Sequence, residues 1–218
     1  MSLFDQITGA IEKNGAGRSR DYIKTYETGI KALDNNNAIY ESSTNTYRKG
    51  IDAGTLTLFI GQSGSGKTTA ALNIAGNIAR DIKDAIVIHL DFERASKDAR
   101  VQKMLKFTDE QMQTKYKRYD SEISSEKFYH LCKIIHKNKM ESYDDIKVDT
   151  GLLDSAGKPI YDIPPTIIIL DSLATRYSDG TNAEEEMSGQ MSTTAEAKLN
   201  NQIIKRLVAS SILEQANI

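Results

Sequence analysis

Residues 56–73 read LTLFIGQSGSGKTTAALN, and the reading of this stretch decides the fold. Leu56 to Ile60 is a short, β-rich apolar run, and beyond it Leu72, Ala75, Ala79 and Ile82 recur at helical spacing. Between the two, Gly61, Gly66, Lys67 and Thr68 satisfy the spacing G-x-x-x-x-G-K-[ST]. The prediction is strand, loop, helix. Glycines in such a loop let the backbone curl until successive N–H groups converge on phosphate oxygens, and the helix opening near Lys67 adds the positive end of its dipole. Gly61, Gln62, Ser63, Gly64, Ser65, Gly66, Lys67, Thr68 and Thr69 are therefore the predicted nucleotide-binding set. Within it Lys67 reaches the β and γ phosphates and the Thr68 hydroxyl ligates Mg2+. A Gly/Ser-rich turn that matches by chance is the competing reading, and the flanking strand and helix argue against it.

Working outward, Ala85 to Leu90 (AIVIHL) is a second buried strand that ends at Asp91-Phe92-Glu93. A polar helical stretch follows from about Ser96 to Phe107, and Thr108 with Gln111 forms a capping box for another short helix. A helix near Glu126 to Lys139 carries the lone Cys132 at helical spacing with Phe128, Leu131 and Ile135, which marks a buried core thiol and excludes a disulfide framework. Met140 to Asp162 reads as a surface hairpin insertion turning at Asp154 to Pro159 (DSAGKP). Pro164-Pro165 then introduces Thr166 to Leu170 (TIIIL), whose lack of alternation predicts a central parallel strand covered on both faces. Strands alternating with helices give an α/β fold, a mainly parallel sheet flanked by helices.

A magnesium-bound triphosphate also needs a carboxylate at the end of a neighbouring strand, and Asp171 supplies one directly after Leu170. Hydrolysis further requires a group that orients or deprotonates water. Glu93 is the best-placed carboxylate for this, with Asp91 as competitor and a solvated loop glutamate as the bland reading.

A chain of 218 residues buries one sizeable core, so a single domain with a short appendage is expected. Residues 1–25 read as an amphipathic helix (Phe4, Ile7, Ile11) and a polar linker, an arm for an adjacent subunit or a helix packed on its own domain; residues 26–218 form the core, with the 140–162 insertion. The net charge of −2 leaves any nucleic-acid surface to be argued locally. No apolar run is long enough to span a bilayer, so a cytoplasmic protein with no membrane partner is expected.

Thr28-Gly29 with Leu33-Asp34, the loop GQSGSGKTTAALN, the exit Asp91-Phe92-Glu93 and the run Leu170-Asp171-Ser172-Leu173 stand in an order and spacing that resembles the RecA-like recombinases, especially phage ones, over residues 26–218. The resemblance implies a RecA-like P-loop NTPase core that binds ATP and Mg2+, with Glu93 activating water and Asp171, supported by Ser172, holding Mg2+ through water. It also implies single-stranded DNA as partner, self-association, and a DNA-contacting loop at Tyr177 to Ser192. That loop's acidic run Glu184 to Glu186 binds phosphate poorly, so the DNA contacts fall to Arg176 and Lys198, with Lys205 and Arg206 behind them. There are departures. Where the family often stacks an aromatic ring on adenine this chain offers Arg100 or Val101, the hairpin insertion lengthens the gap between motifs, and the core is expected to be incomplete after Ala216-Asn217-Ile218. Three functional readings stay open: a DNA-stimulated ATPase of recombination or repair forming filaments, a hexameric helicase-type or clock-type ring, and a nucleotide-binding module without turnover. A small-molecule kinase is weaker, for want of an arginine-rich lid sequence after Asp171.

Overall fold

The computed structural model describes residues 24–41, 46–93, 97–120, 123–153, 157–171, 202, 205–207 and 212–218. Ahead of the phosphate loop come β1 (Thr25–Tyr26), α1 (Lys31–Asn36), β2 (Ile39–Glu41), β3 (Thr46–Arg48) and β4 (Ile51–Asp52), with β1 paired to β4 and β2 to β3, both antiparallel. The first pairing puts Thr25, the last residue of the predicted N-terminal segment, in a strand with Tyr26. Asp34 explains why Thr28-Gly29 and Leu33-Asp34 go together. Its carboxylate accepts from the Thr28 amide (2.7 Å), the Thr28 hydroxyl (2.6 Å) and the Gly29 amide (3.2 Å), closing a turn that docks on the phosphate-loop helix through Asn77 Nδ2 to the Glu27 carbonyl at 3.0 Å.

After the loop follow α2 (Lys67–Ala79), β5 (Ile86–Asp91), α3 (Asp98–Leu105), α4 (Asp109–Lys115), β6 (Tyr116–Tyr119), α5 (Ser125–Glu141), α6 (Tyr143–Ile146), β7 (Val148–Leu153), β8 (Pro159–Asp162), β9 (Thr166–Asp171) and α7 (Ile212–Gln215). β6, β5 and β9 form a parallel sheet in that order, with β5 and β9 in register from Ile86 opposite Thr166 to Asp91 opposite Asp171. Because side chains alternate along a strand, this sheet builds two cores. On one face Leu72, Ala75 and Ala79 of α2 pack with Val87, Val101, Leu105 and Ile169. On the other Leu90 meets Phe128, Cys132, Leu207 and Leu213, so Cys132 is the buried core thiol that its helical spacing predicts. Full burial of a side chain such as Leu72 is worth about 1.5–3 kcal/mol. Gly76 lets α2 and α3 meet, since a Cβ there would collide with the Leu105 carbonyl.

The capping box is present as predicted: Thr108 accepts from the Gln111 amide, and the Gln111 side chain accepts from the Thr108 amide. The insertion is a hairpin, β7 antiparallel to β8. Two expectations are corrected. Leu56–Ile60 forms no strand, because a strand exists only through a hydrogen-bonded neighbour and this run has no ladder partner among the described residues. Leu56 and Leu58 are exposed, and Ile60 is 87% exposed. Among the described residues β9 in turn is not central: β5 ladders one edge, and the run 54–59, α2 and β9 together line an apolar cavity of about 430 Å³.

The entry to β9 is held by a polar knot. Lys139 Nζ donates to the carbonyls of Pro164 (2.7 Å), Ala216 (2.8 Å) and Asn217 (3.3 Å), and Asn217 Nδ2 donates to the Ile163 carbonyl and the Tyr26 hydroxyl, each at 2.6 Å. Burial pushes the Lys139 ammonium down to about 7. The N-terminal helix, the stretch Tyr177 to Ser192, Arg176, Ser172 and Lys198 lie outside the described residues. Among the described residues no helix is long and apolar enough to cross a membrane.

Candidate nucleotide-binding site

The phosphate loop turns into α2 at Gly66, whose φ of +88° is a left-handed conformation that side chains disfavour. Gly64 (φ +76°) makes the preceding bend, and the Ser65 amide donates to the Gln62 carbonyl at 3.2 Å. No side chain caps the first turn of α2, so its leading N–H groups are left to an outside acceptor. A Cβ built on Gly64 or Gly66 meets nothing within 4 Å, and residues 61–66 are exposed, so the cradle is open. Lys67 Nζ meanwhile folds back onto its own loop, donating to the carbonyls of Gly61 and Gln62, each at 3.0 Å.

The opposite wall comes from β9. The Thr68 hydroxyl donates to Asp171 Oδ2 at 2.6 Å, so the two residues from which sequence reasoning builds a Mg2+ site touch one another. Two hard oxygen donors at the open end of a helix fit such an ion. β5 runs beside β9, and the Phe92 amide donates to the Asp171 carbonyl at 2.7 Å, so Glu93 leaves the sheet one residue later, exposed in a turn. Asp91 is buried opposite Asp171.

His89, two residues before Asp91 on the same face of β5, was not among the predicted site residues. It is fully buried, its Nδ1 lies 2.9 Å from the Tyr116 hydroxyl, and its Nε2 lies 3.9 Å from Asp171 Oδ2, an approach rather than a formed hydrogen bond. The His89 imidazole first, and then the Thr68 hydroxyl, hold the Asp171 carboxyl below its ordinary value, against the upward pull of burial. Burial drives the Tyr116 phenol upward, so it stays protonated. The available signal was a histidine interrupting the apolar run AIVIHL.

The far end of α2 contrasts with its open start. Lys115 Nζ donates to the carbonyls of Ala79 (2.9 Å), Arg80 (3.1 Å) and Ile82 (2.6 Å), and Gln111 Nε2 donates to the Arg80 carbonyl at 2.9 Å. Of the two residues weighed for adenine contact, Val101 is committed to the core and Arg100 is exposed. Lys205 and Arg206 are exposed beside the buried Leu207.

Residues 34–199 match the model of a family described as an AAA domain. No curated protein matches the chain.

Proposed function

The chain belongs to the AAA domain family and is a P-loop ATPase domain, and from that premise we propose that it is a RecA-like, DNA-stimulated ATPase acting on single-stranded DNA in recombination or repair. The observation that carries the reading is the parallel register of β5 on β9, which brings Asp91-Phe92-Glu93 out beside Asp171 at the open end of α2. That is the order of motifs on which the resemblance to recombinases rests.

In this reading the free N–H groups of α2 and the loop amides receive the triphosphate, and Lys67 exchanges its two loop carbonyls for the β and γ phosphates. Thr68 and Asp171 hold Mg2+, which when bound neutralises phosphate charge. Glu93, one residue past the ladder, orients water in line with the γ-phosphate. Release of phosphate then loosens contacts between neighbouring copies and with DNA, where Arg176 and Lys198 meet the phosphate backbone. Assembly is a filament, and the protein works in the cytoplasm.

Phosphate release from ATP, with and without single-stranded DNA, tests this in the full chain. Stimulation by DNA that is lost in Lys67→Ala and falls about 10²–10⁴-fold in Glu93→Gln supports it. ATP bound in a Lys67-dependent way with no turnover under any condition would make the chain a nucleotide-binding module. Closed rings in electron micrographs would favour a helicase-type assembly.

A further inference from the structure

His89 has no part in the ATPase reading, yet its placement is costly. A buried imidazole is tolerated when its nitrogens are served. Nδ1 is served by Tyr116; Nε2 has no hydrogen-bond partner among the described residues and faces a cluster in which the ligand atoms of His89, Asp91 and Asp171 all lie within 4.8 Å of one another. Strand geometry makes the cluster: residues 89 and 91 share a face of β5, and the register sets Asp91 opposite Asp171.

Two carboxylates side by side, one buried and one half-buried, repel where water is scarce. A cation between the carboxylates removes that conflict. Mg2+ prefers oxygen ligands and gives up water reluctantly, whereas a set of one imidazole nitrogen and two carboxylates suits first-row transition ions. Tyr116 is the outer partner such a ligand requires: its hydroxyl can donate to Nδ1 while Nε2–H faces Asp171, and can accept from Nδ1–H when a cation takes the Nε2 lone pair.

We propose that His89, Asp91 and Asp171 form a site for a first-row transition ion of the Mn2+ class, beneath the phosphate loop, which binds without nucleotide and favours that ion over Mg2+. It deepens the ATPase reading, on which it rests only through the shared carboxylate Asp171.

The test uses the full chain, nucleotide-free, with Mn2+ as probe and electron paramagnetic resonance as readout. One Mn2+ should bind per chain, at least tenfold more tightly than competing Mg2+, and its spin echo should show modulation from a directly bound nitrogen. His89→Gln should remove the modulation and weaken Mn2+ at least tenfold with little change in Mg2+ competition. Tyr116→Phe keeps all three ligands, so it should retain the modulation while binding Mn2+ more weakly. Should His89→Gln fail to fold by circular dichroism, the wild-type modulation and Tyr116→Phe decide. Absence of saturable Mn2+ binding, or bound Mn2+ without nitrogen modulation, overturns the proposal. Binding of a fluorescent ATP analogue is measured in parallel: ATP binding without Mn2+ binding sinks this proposal alone, and Mn2+ binding without ATP binding sinks the ATPase reading alone.

Discussion

The two ends of α2 are treated in opposite ways. At its C-terminal end Lys115 and Gln111 donate to the carbonyls of Ala79, Arg80 and Ile82, so the negative end of the dipole meets a cation and the last peptide groups are satisfied within the fold. At its N-terminal end a left-handed glycine replaces a capping side chain and the loop is exposed. The difference teaches how to separate stability from function along one helix: partners within the fold hold it together, and the groups left without them are what a ligand can use.

Substitutions at the two ends should therefore part company. Lys67→Ala should weaken ATP binding about a hundredfold, ~2.7 kcal/mol, while leaving the melting temperature of the nucleotide-free chain within a degree or so; a large fall in melting temperature would break the contrast. Lys115→Met should do the reverse. Stripping the cation from three carbonyls should cost about 1–3 kcal/mol in denaturant unfolding, with ATP affinity unchanged for the folded fraction.

Lys139, which also donates to three carbonyls, sharpens the comparison through pH. Its folded-state value of about 7 lies below the unfolded 10.5, so between those values the unfolded chain binds more protons and stability rises with pH, by at most about 1.4 kcal/mol per pH unit. Below pH 7 both states are protonated and this slope vanishes. Lys139→Met should flatten the rise in melts across pH 7 to 10. The smallest effect belongs to Thr108→Ala, which removes half the capping box of α4, the helix that carries Gln111 and Lys115 to the end of α2. It should cost about 1 kcal/mol and leave ATP affinity unmoved.

What could be read from sequence was what local chemistry specifies. The glycine spacing, the Thr108 capping box, the helical placement of Cys132 and the pairing of the two short strands of the insertion each depend on residues close together in the chain. The pairing of Leu56–Ile60 was misjudged because apolar β-branched character shows willingness to form a strand, and only a neighbour makes one. Val101 was weighed as a base contact because alignment gives position and not direction, and the face of α3 points it into the core. His89 and Tyr116 were overlooked because a single polar residue in an apolar strand breaks no period and its partner lies 27 positions away. The roles of Lys115 and Lys139 are invisible in the sequence for the same reason: the carbonyls that receive them are set by tertiary contact.

The bond from Thr68 to Asp171 joins residues 103 positions apart. A ribosome adding about 5–20 residues per second takes roughly 5–20 seconds to travel between them. The phosphate loop is thus made well before its acidic partner, and a nascent chain carries the half of the site that grips phosphate for several seconds without the half that presents a carboxylate to the metal.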